Sequence, residues 1–276
     1  MNTIVWIASY PKSGNTWLRI FLVNYIVNAD RPVSINETYK IARGDSDLNE
    51  YTAMNKGDSF DSENLEVVLD LRKRVISEIA TTGASINLVK THAPYRELFG
   101  YDLIPKQYSR SAIHIVRNPL DQVISYASHY GVSIDSAIEH CAKEDHFVGA
   151  MPGRQAITQF LGSWASHVHS WSTHDDFPVL TIRYEDMRAQ TFAVFAHIIN
   201  FIKLPYDEQR LKKAIRFSNF RALQKQEVIN GFAENSPNQE RFFRKGTSGQ
   251  WKDVLTKDQI ARIRSEHGAV MKQLGY

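Results

Sequence analysis

Eight consecutive residues, Tyr10-Pro11-Lys12-Ser13-Gly14-Asn15-Thr16-Trp17, constrain this chain more than any other stretch. Before them stands a short apolar run, Ile4-Val5-Trp6-Ile7-Ala8, with the length of a buried strand. After them comes Leu18-Arg19-Ile20-Phe21-Leu22-Val23, which opens an apolar-rich helix. A strand, a tight turn and a helix start make an anion cradle, because the first N–H groups of a helix have no intrahelical partner and point at whatever lies there. Gly14 lets the backbone approach an anion closely, Lys12 adds a full charge, and Ser13 and Thr16 add hydroxyl donors. The pattern departs from the ordinary phosphate loop, G-x-x-x-x-G-K-[ST], since here the lysine precedes the glycine. The competing reading is a plain strand–turn–helix whose lysine and hydroxyls face water.

The rest of the chain alternates between strand-like and helix-like segments. Ile86-Asn87-Leu88-Val89-Lys90, Ala112-Ile113-His114-Ile115-Val116 and Val179-Leu180-Thr181-Ile182-Arg183-Tyr184 read as strands. Leu65, Val68, Leu69, Arg72, Val75, Ile76 and Ile79 share one helical face. Asn118-Pro119 has the chemistry of a helix start, and Thr256-Lys257-Asp258-Gln259 that of a capping box. No linker divides the 276 residues, and with 43% hydrophobic residues the chain can fill a full core. The expectation is one α/β domain over 1–276, with a central, mainly parallel sheet flanked by helices. Ligands in such folds sit outside the carboxyl ends of the strands. Every polar cluster of note falls there: the loop at 10–17, then Lys90-Thr91-His92-Ala93-Pro94, Arg117-Asn118-Pro119, and Tyr184-Glu185-Asp186.

Taken together these segments resemble the soluble, cytosolic-type sulfotransferases, whose loop Y-P-K-S-G-T-T-W holds the 5′-phosphosulfate of 3′-phosphoadenosine 5′-phosphosulfate (PAPS). This chain has Asn15 where the family usually has Thr. The resemblance implies a phosphate-loop-type nucleotide fold and direct transfer of a sulfuryl group to a hydroxyl or amine of a small-molecule acceptor. It implies that Lys12, Ser13, Gly14, Asn15, Thr16 and Trp17 hold the 5′ end of the donor, with Lys12 stabilising charge on the leaving oxygen. His92, in the Lys-Thr-His segment, becomes the general base, and Lys90 balances the sulfuryl oxygens. A histidine suits the base role because its pKa lies near neutrality.

Further segments match in the same order. Arg117 and Ser125, spaced as in the family's 3′-phosphate segment, are implied to hold that phosphate, as a guanidinium fork matches its oxygens. Against this stands an Arg117 neutralised by Asp121. Tyr184 resembles the adenine-contacting tyrosine of a Y-E-D-M segment, and Ser218-Asn219-Phe220 a continuation of the adenine pocket. Phe243, Arg244, Lys245 and Gly246 resemble the family's R-K-G loop over the 3′-phosphate. Residues 36–64 and 226–250 are expected to be loops over the acceptor and donor sites.

Other signals carry little. His167, His169 and His174, or His140, Cys141 and His146, lack metal-site spacing, so no metal is expected. The basic run from Arg210 to Lys225 is interrupted by Leu211, Ala214, Ile215 and Leu223, the pattern of a solvated helix face and not of a nucleic-acid surface. Net charge is +3, so anion binding must be local. A single cysteine and no long apolar run suggest a cytoplasmic protein without a membrane span. A small-molecule kinase on a related fold and a non-catalytic nucleotide-binding protein are the alternatives. The sequence leaves monomer and homodimer equally open.

Overall fold

The computed structural model describes residues 2–149 and 156–276. Its strands are β1 (Ile4–Ser9), β2 (Ala42–Gly44), β3 (Asn87–Thr91), β4 (Glu97–Leu98), β5 (Tyr101–Asp102), β6 (Ser109–Val116), β7 (Phe147–Val148), β8 (Gln159–Phe160) and β9 (Val179–Arg183). The first helices are α1 (Asn15–Val27), α2 (Leu48–Met54), α3 (Leu65–Ala80), α4 (Pro119–Tyr130), α5 (Ile134–Ala142) and α6 (Trp164–Ser172). After β9 follow α7 (Tyr184–Ala189), α8 (Thr191–Phe201), α9 (Glu208–Phe217), α10 (Phe220–Asn230), α11 (Trp251–Val254) and α12 (Lys257–Gln273).

β1 explains the layering. Its side chains alternate, so Ile4, Trp6 and Ala8 enter one core while Val5 and Ile7 enter another on the opposite face. The first core is closed by the stripe Val68, Leu69, Val75, Ile76 and Ile79 of α3 and by Trp171 of α6. The second is closed by Leu18, Phe21 and Leu22 of α1, Phe195 and Ile198 of α8, and Leu211 of α9. With both faces covered, the strand is apolar from Ile4 to Ala8 and fully buried. It lies at the centre of a five-stranded sheet of order β2-β3-β1-β6-β9. Every pairing in that sheet is parallel.

The helix starts follow the sequence. Asn118 caps α4 with Pro119 in its first turn, and Thr256 and Gln259 form the capping box of α12. Stretch 36–64 is not a continuous loop: it holds a 3-10 helix (Ile35–Lys40), β2 and α2. β2 has only three residues, too few to show a period, and gains its order from pairing with β3. The chain beyond β2 is pinned from below: buried Arg72 of α3 forms an ion pair with Asp45 at 2.6 Å and also donates to the Leu103 carbonyl. Of 226–250, residues up to Asn230 belong to α10 and the irregular stretch begins at Gly231.

Candidate active site

At the carboxyl ends of the strands, where the chain leaves central β1 for neighbours on both sides, lies a cavity of about 730 Å³. The loop at 10–17 forms its floor. Lys12 and Gly14 adopt left-handed φ values of 69° and 106°. At Gly14 a side chain would be strained and would also meet Tyr184, whose ring lies 2.7 Å from where a Cβ would sit. Carbonyls of the loop are tied back: Gln122 Nε2 donates to Pro11 O at 2.9 Å, and Arg117 Nη1 to Lys12 O at 3.0 Å. The N-terminus of α1 is thereby held toward the cavity.

Ser13 and Asn15 are placed differently from the other side chains of this loop. Ser13 is fully buried and off the cavity wall, and its hydroxyl has no hydrogen-bond partner. Asn15 lines the cavity, but its amide is spent inside, donating to Ile7 O at 2.8 Å and Ser9 Oγ at 3.2 Å and accepting from Arg19 Nε at 3.1 Å. It fastens the end of β1 to the start of α1. Lys12, Thr16 and Trp17 line the cavity.

His92 and Lys90 share the wall beside this floor. His92 Nδ1 donates to the Ser9 carbonyl at 2.7 Å, which fixes the tautomer and leaves Nε2 with a lone pair. Burial and the Lys90 cation push its pKa well below the usual histidine value, although the Ser9 carbonyl works the other way. The ring is neutral at ordinary pH. Lys12 Nζ sits 3.8 Å over the Phe242 ring and donates to His129 Nδ1 at 3.3 Å.

On the far side, Arg117 lies 4.6 Å over the Tyr184 ring. It donates to Lys12 O and, at 3.2 Å, to Thr247 O, while its buried Nε has no partner. Asp121 does not neutralise it. That carboxylate accepts instead from the backbone N–H groups of Gly249 at 2.6 Å and Trp251 at 3.1 Å. Ser125, Tyr184, Phe220, Phe243, Arg244, Lys245 and Gly246 all line the cavity. Gly246, at φ 59°, faces Phe220 so closely that a Cβ would sit 2.4 Å from the ring. Ser218 and Asn219 do not line it. Ser218 is buried with its hydroxyl bonded to Ala214 O, and its carbonyl accepts from Trp17 Nε1 at 2.9 Å. Asn219 is the cap of α10 and faces solvent. Of that tripeptide, Phe220 alone reaches the cavity.

Several wall residues had no motif to announce them. Glu234 accepts from Thr16 Oγ1 at 3.1 Å and from Arg19 Nη2 at 2.6 and 2.7 Å. Burial would raise its pKa, but Arg19, Lys90 and Thr16 hold it at about 2. His129 and Arg188 also line the cavity. Their signal is helical spacing, four residues beyond Ser125 on α4 and Tyr184 on α7. Glu234 offers none.

The geometry fits a nucleotide bearing phosphate at both ends: an unpartnered Arg117 N–H at one end, a glycine-and-helix cradle at the other, and aromatic rings between. Among the described residues, no group of three or more His, Cys, Asp or Glu is placed to hold a metal ion. Nor is any helix among them long and apolar enough to cross a membrane. The sulfotransferase-domain family model matches residues 2–275. Sulfotransferase 1B1 of the dog (Canis lupus familiaris) is 26% identical over 267 residues, covering 91% of this chain and 77% of the relative. Among solved structures, mouse sulfotransferase SULT7A1 complexed with PAP (desulfated PAPS) has a TM-score of 0.62 at 20% identity, over 98% of this chain and 85% of that one. Retinol dehydratase in complex with androsterone and inactive cofactor PAP has a TM-score of 0.67 at 18% identity, over 98% and 81%. The two solved structures share the fold of this chain, and the family match over nearly its whole length shows that it belongs to the sulfotransferases.

Proposed function

We propose that the cavity transfers a sulfuryl group from PAPS to a hydroxyl or amine of a small-molecule acceptor, with His92 as general base. His92 Nε2 takes the acceptor proton as the new oxygen–sulfur or nitrogen–sulfur bond forms. The bond from sulfur to the bridging oxygen breaks, and its electron pair stays on the 5′-phosphate, next to Lys12. Lys90 and the N–H groups at the start of α1 face the charge on the sulfuryl oxygens. Arg117, Ser125, Arg244, Lys245 and Gly246 hold the 3′-phosphate, while Trp17, Tyr184, Phe220 and Phe243 enclose the adenine. A single cysteine, Cys141, fits an enzyme of the cytoplasm.

The observation that carries this reading is the hydrogen bond of His92 Nδ1 to the Ser9 carbonyl. It leaves Nε2 unprotonated on a residue that lines the same cavity as Lys12 and Lys90. The family match also sets the kinase alternative aside. Donor choice is the test. Calorimetry should show PAP binding far more tightly than adenosine 5′-monophosphate. One Arg–phosphate fork contributes about 1.5–3 kcal/mol, or roughly ten- to a hundredfold. Arg117→Ala should erase most of that difference and barely change the monophosphate. Equal affinities for the two nucleotides would refute the donor assignment.

A further inference from the structure

The order of the sheet divides the cavity in two. Arg117 and Tyr184 follow β6 and β9 on one side of β1, whereas Lys90 and His92 belong to β3 and its exit on the other, next to β2. An acceptor that meets His92 therefore rests on the flank built by β3 and the chain leaving β2.

That flank is polar. Gly44 pairs with Lys90 in the sheet, and the turn after it brings Ser46, Asp47 and Asn49 onto the cavity wall. Ser46 O accepts from Ile157 N at 3.2 Å and Asp47 bridges to Ala156, which draws Gln159 onto the same wall. The Gln159 Oε1 atom is buried and has no hydrogen-bond partner. Asp47 Oδ1 accepts from Asn49 N at 3.0 Å. Tyr39 stands nearby with 55% of its surface exposed, a flat apolar face at the rim. Among the described residues of this turn and its partner segment, Ala156 is the one aliphatic side chain on the wall.

We infer that the acceptor is a polyhydroxylated, carbohydrate-like alcohol whose neighbouring hydroxyls are read by Ser46, Asp47 and Gln159. This rests on the donor reading above. A buried oxygen left without a donor costs about 1–3 kcal/mol, and a phenol or steroid ring laid against this wall leaves Gln159 in that state. A sugar presents several O–H groups at once, each both donor and acceptor, so it satisfies the carboxylate, the amide oxygen and the serine together. Its C–H face suits an exposed tyrosine ring. A wall built to bond hydroxyls discriminates strongly against analogues that lack them. One hydroxyl of the sugar faces His92 and gives up its proton; the others hold the ring in place. The bonds made and broken are those of the proposed sulfuryl transfer.

Two measurements on the full chain test the inference. Labelled PAPS is offered with methyl β-glucoside, a neutral disaccharide, 4-nitrophenol and a 3-hydroxysteroid, and PAP affinity is measured alongside by calorimetry. The expected result is a kcat/KM for one of the sugars at least about tenfold above both apolar acceptors. Gln159→Leu should raise the KM for that sugar by about tenfold, with kcat and PAP affinity little changed, as loss of one hydrogen bond predicts. Preference for the phenol or steroid overturns the inference. So does a PAP-binding protein that sulfates neither sugar, or an unchanged sugar KM in Gln159→Leu. Failure to bind PAP is a separate result: it refutes the donor reading and this one with it.

Discussion

The pKa of His92, the proposed general base, is set by neighbours with opposing effects. Burial and Lys90 lower its pKa, while the Ser9 carbonyl fixes its tautomer and favours its charged form. The first two prevail, so the ring stays unprotonated below the ordinary histidine pKa. His92→Ala should cut transfer by about 10²–10⁴-fold while PAP affinity holds, because a base acts in the transition state and not in donor binding. In the native enzyme, kcat/KM should stay level from pH 8 down through pH 6 and fall only at more acid pH. A fall centred at the ordinary histidine value would show a base of a different environment. Glu234 raises a separate question at this scale. It accepts hydrogen bonds from the Thr16 hydroxyl and the Arg19 guanidinium, two groups at the anion cradle. A donor entering the cradle meets this carboxylate and competes with it for both. Glu234→Gln keeps an acceptor for Thr16 and Arg19 but removes the charge. At an effective dielectric of 20, one like charge a few ångströms away opposes an anion by about 2 kcal/mol or more, so PAP should bind roughly tenfold tighter in calorimetry. Unchanged or weaker binding would place the carboxylate away from the bound phosphate.

The element that completes the proposed donor site is not a helix or a strand. Residues 231–250 run irregularly, yet they carry Phe242, Phe243, Arg244, Lys245 and Gly246. Two carboxylates hold the part of the stretch that carries these residues. Buried Glu227 of α10 accepts from the N–H groups of Phe242 at 2.6 Å and Phe243 at 3.0 Å, and Asp121 of α4 from those of Gly249 and Trp251. Charge-assisted bonds of this kind contribute about 1.5–3 kcal/mol each. Asp121→Ala should therefore loosen the clamp, weakening PAP binding tenfold or more while adenosine 5′-monophosphate binding changes little. Equal losses for both nucleotides would indicate general unfolding of α4. This element also marks the limit of what the sequence discloses. Strands, helix caps and the loop at 10–17 are legible because period, capping chemistry and turn chemistry are local. Thr16 and Glu234 lie 218 positions apart, and Asp121 and Gly249 lie 128 apart, so no local pattern links them. Ser218 and Asn219 lie off the cavity wall for the opposite reason. Their segment reaches the site, but local helix geometry uses their side chains for a bond to Ala214 and a cap.

At the scale of the whole molecule, buried histidines tie the fold to pH. His114 and His167 are fully buried in the interior, and His146 and His267 are nearly so. Burial lowers all four: His146 and His267 to about 4, His167 to about 3, and His114 well below its ordinary value. His92 behaves in the same way. In the unfolded chain each binds a proton near pH 6.5, whereas the folded chain refuses it until the pH is far lower. The stability these groups confer is therefore complete above pH 6.5 and is lost as the pH falls toward 4. Each contributes about 1.4 kcal/mol per pH unit in that window. Together they can remove several kcal/mol per unit from a domain of ordinary stability, about 5–15 kcal/mol. Urea midpoints should thus fall steeply between pH 6.5 and 5, with a slope worth several protons. His267→Gln, which removes one titrating ring packed 5.4 Å from Trp164, should reduce that slope by about one proton even if it lowers stability at pH 8. A urea midpoint that stays level from pH 7 to pH 5 would show that these rings are already charged in the folded protein or accessible to water there.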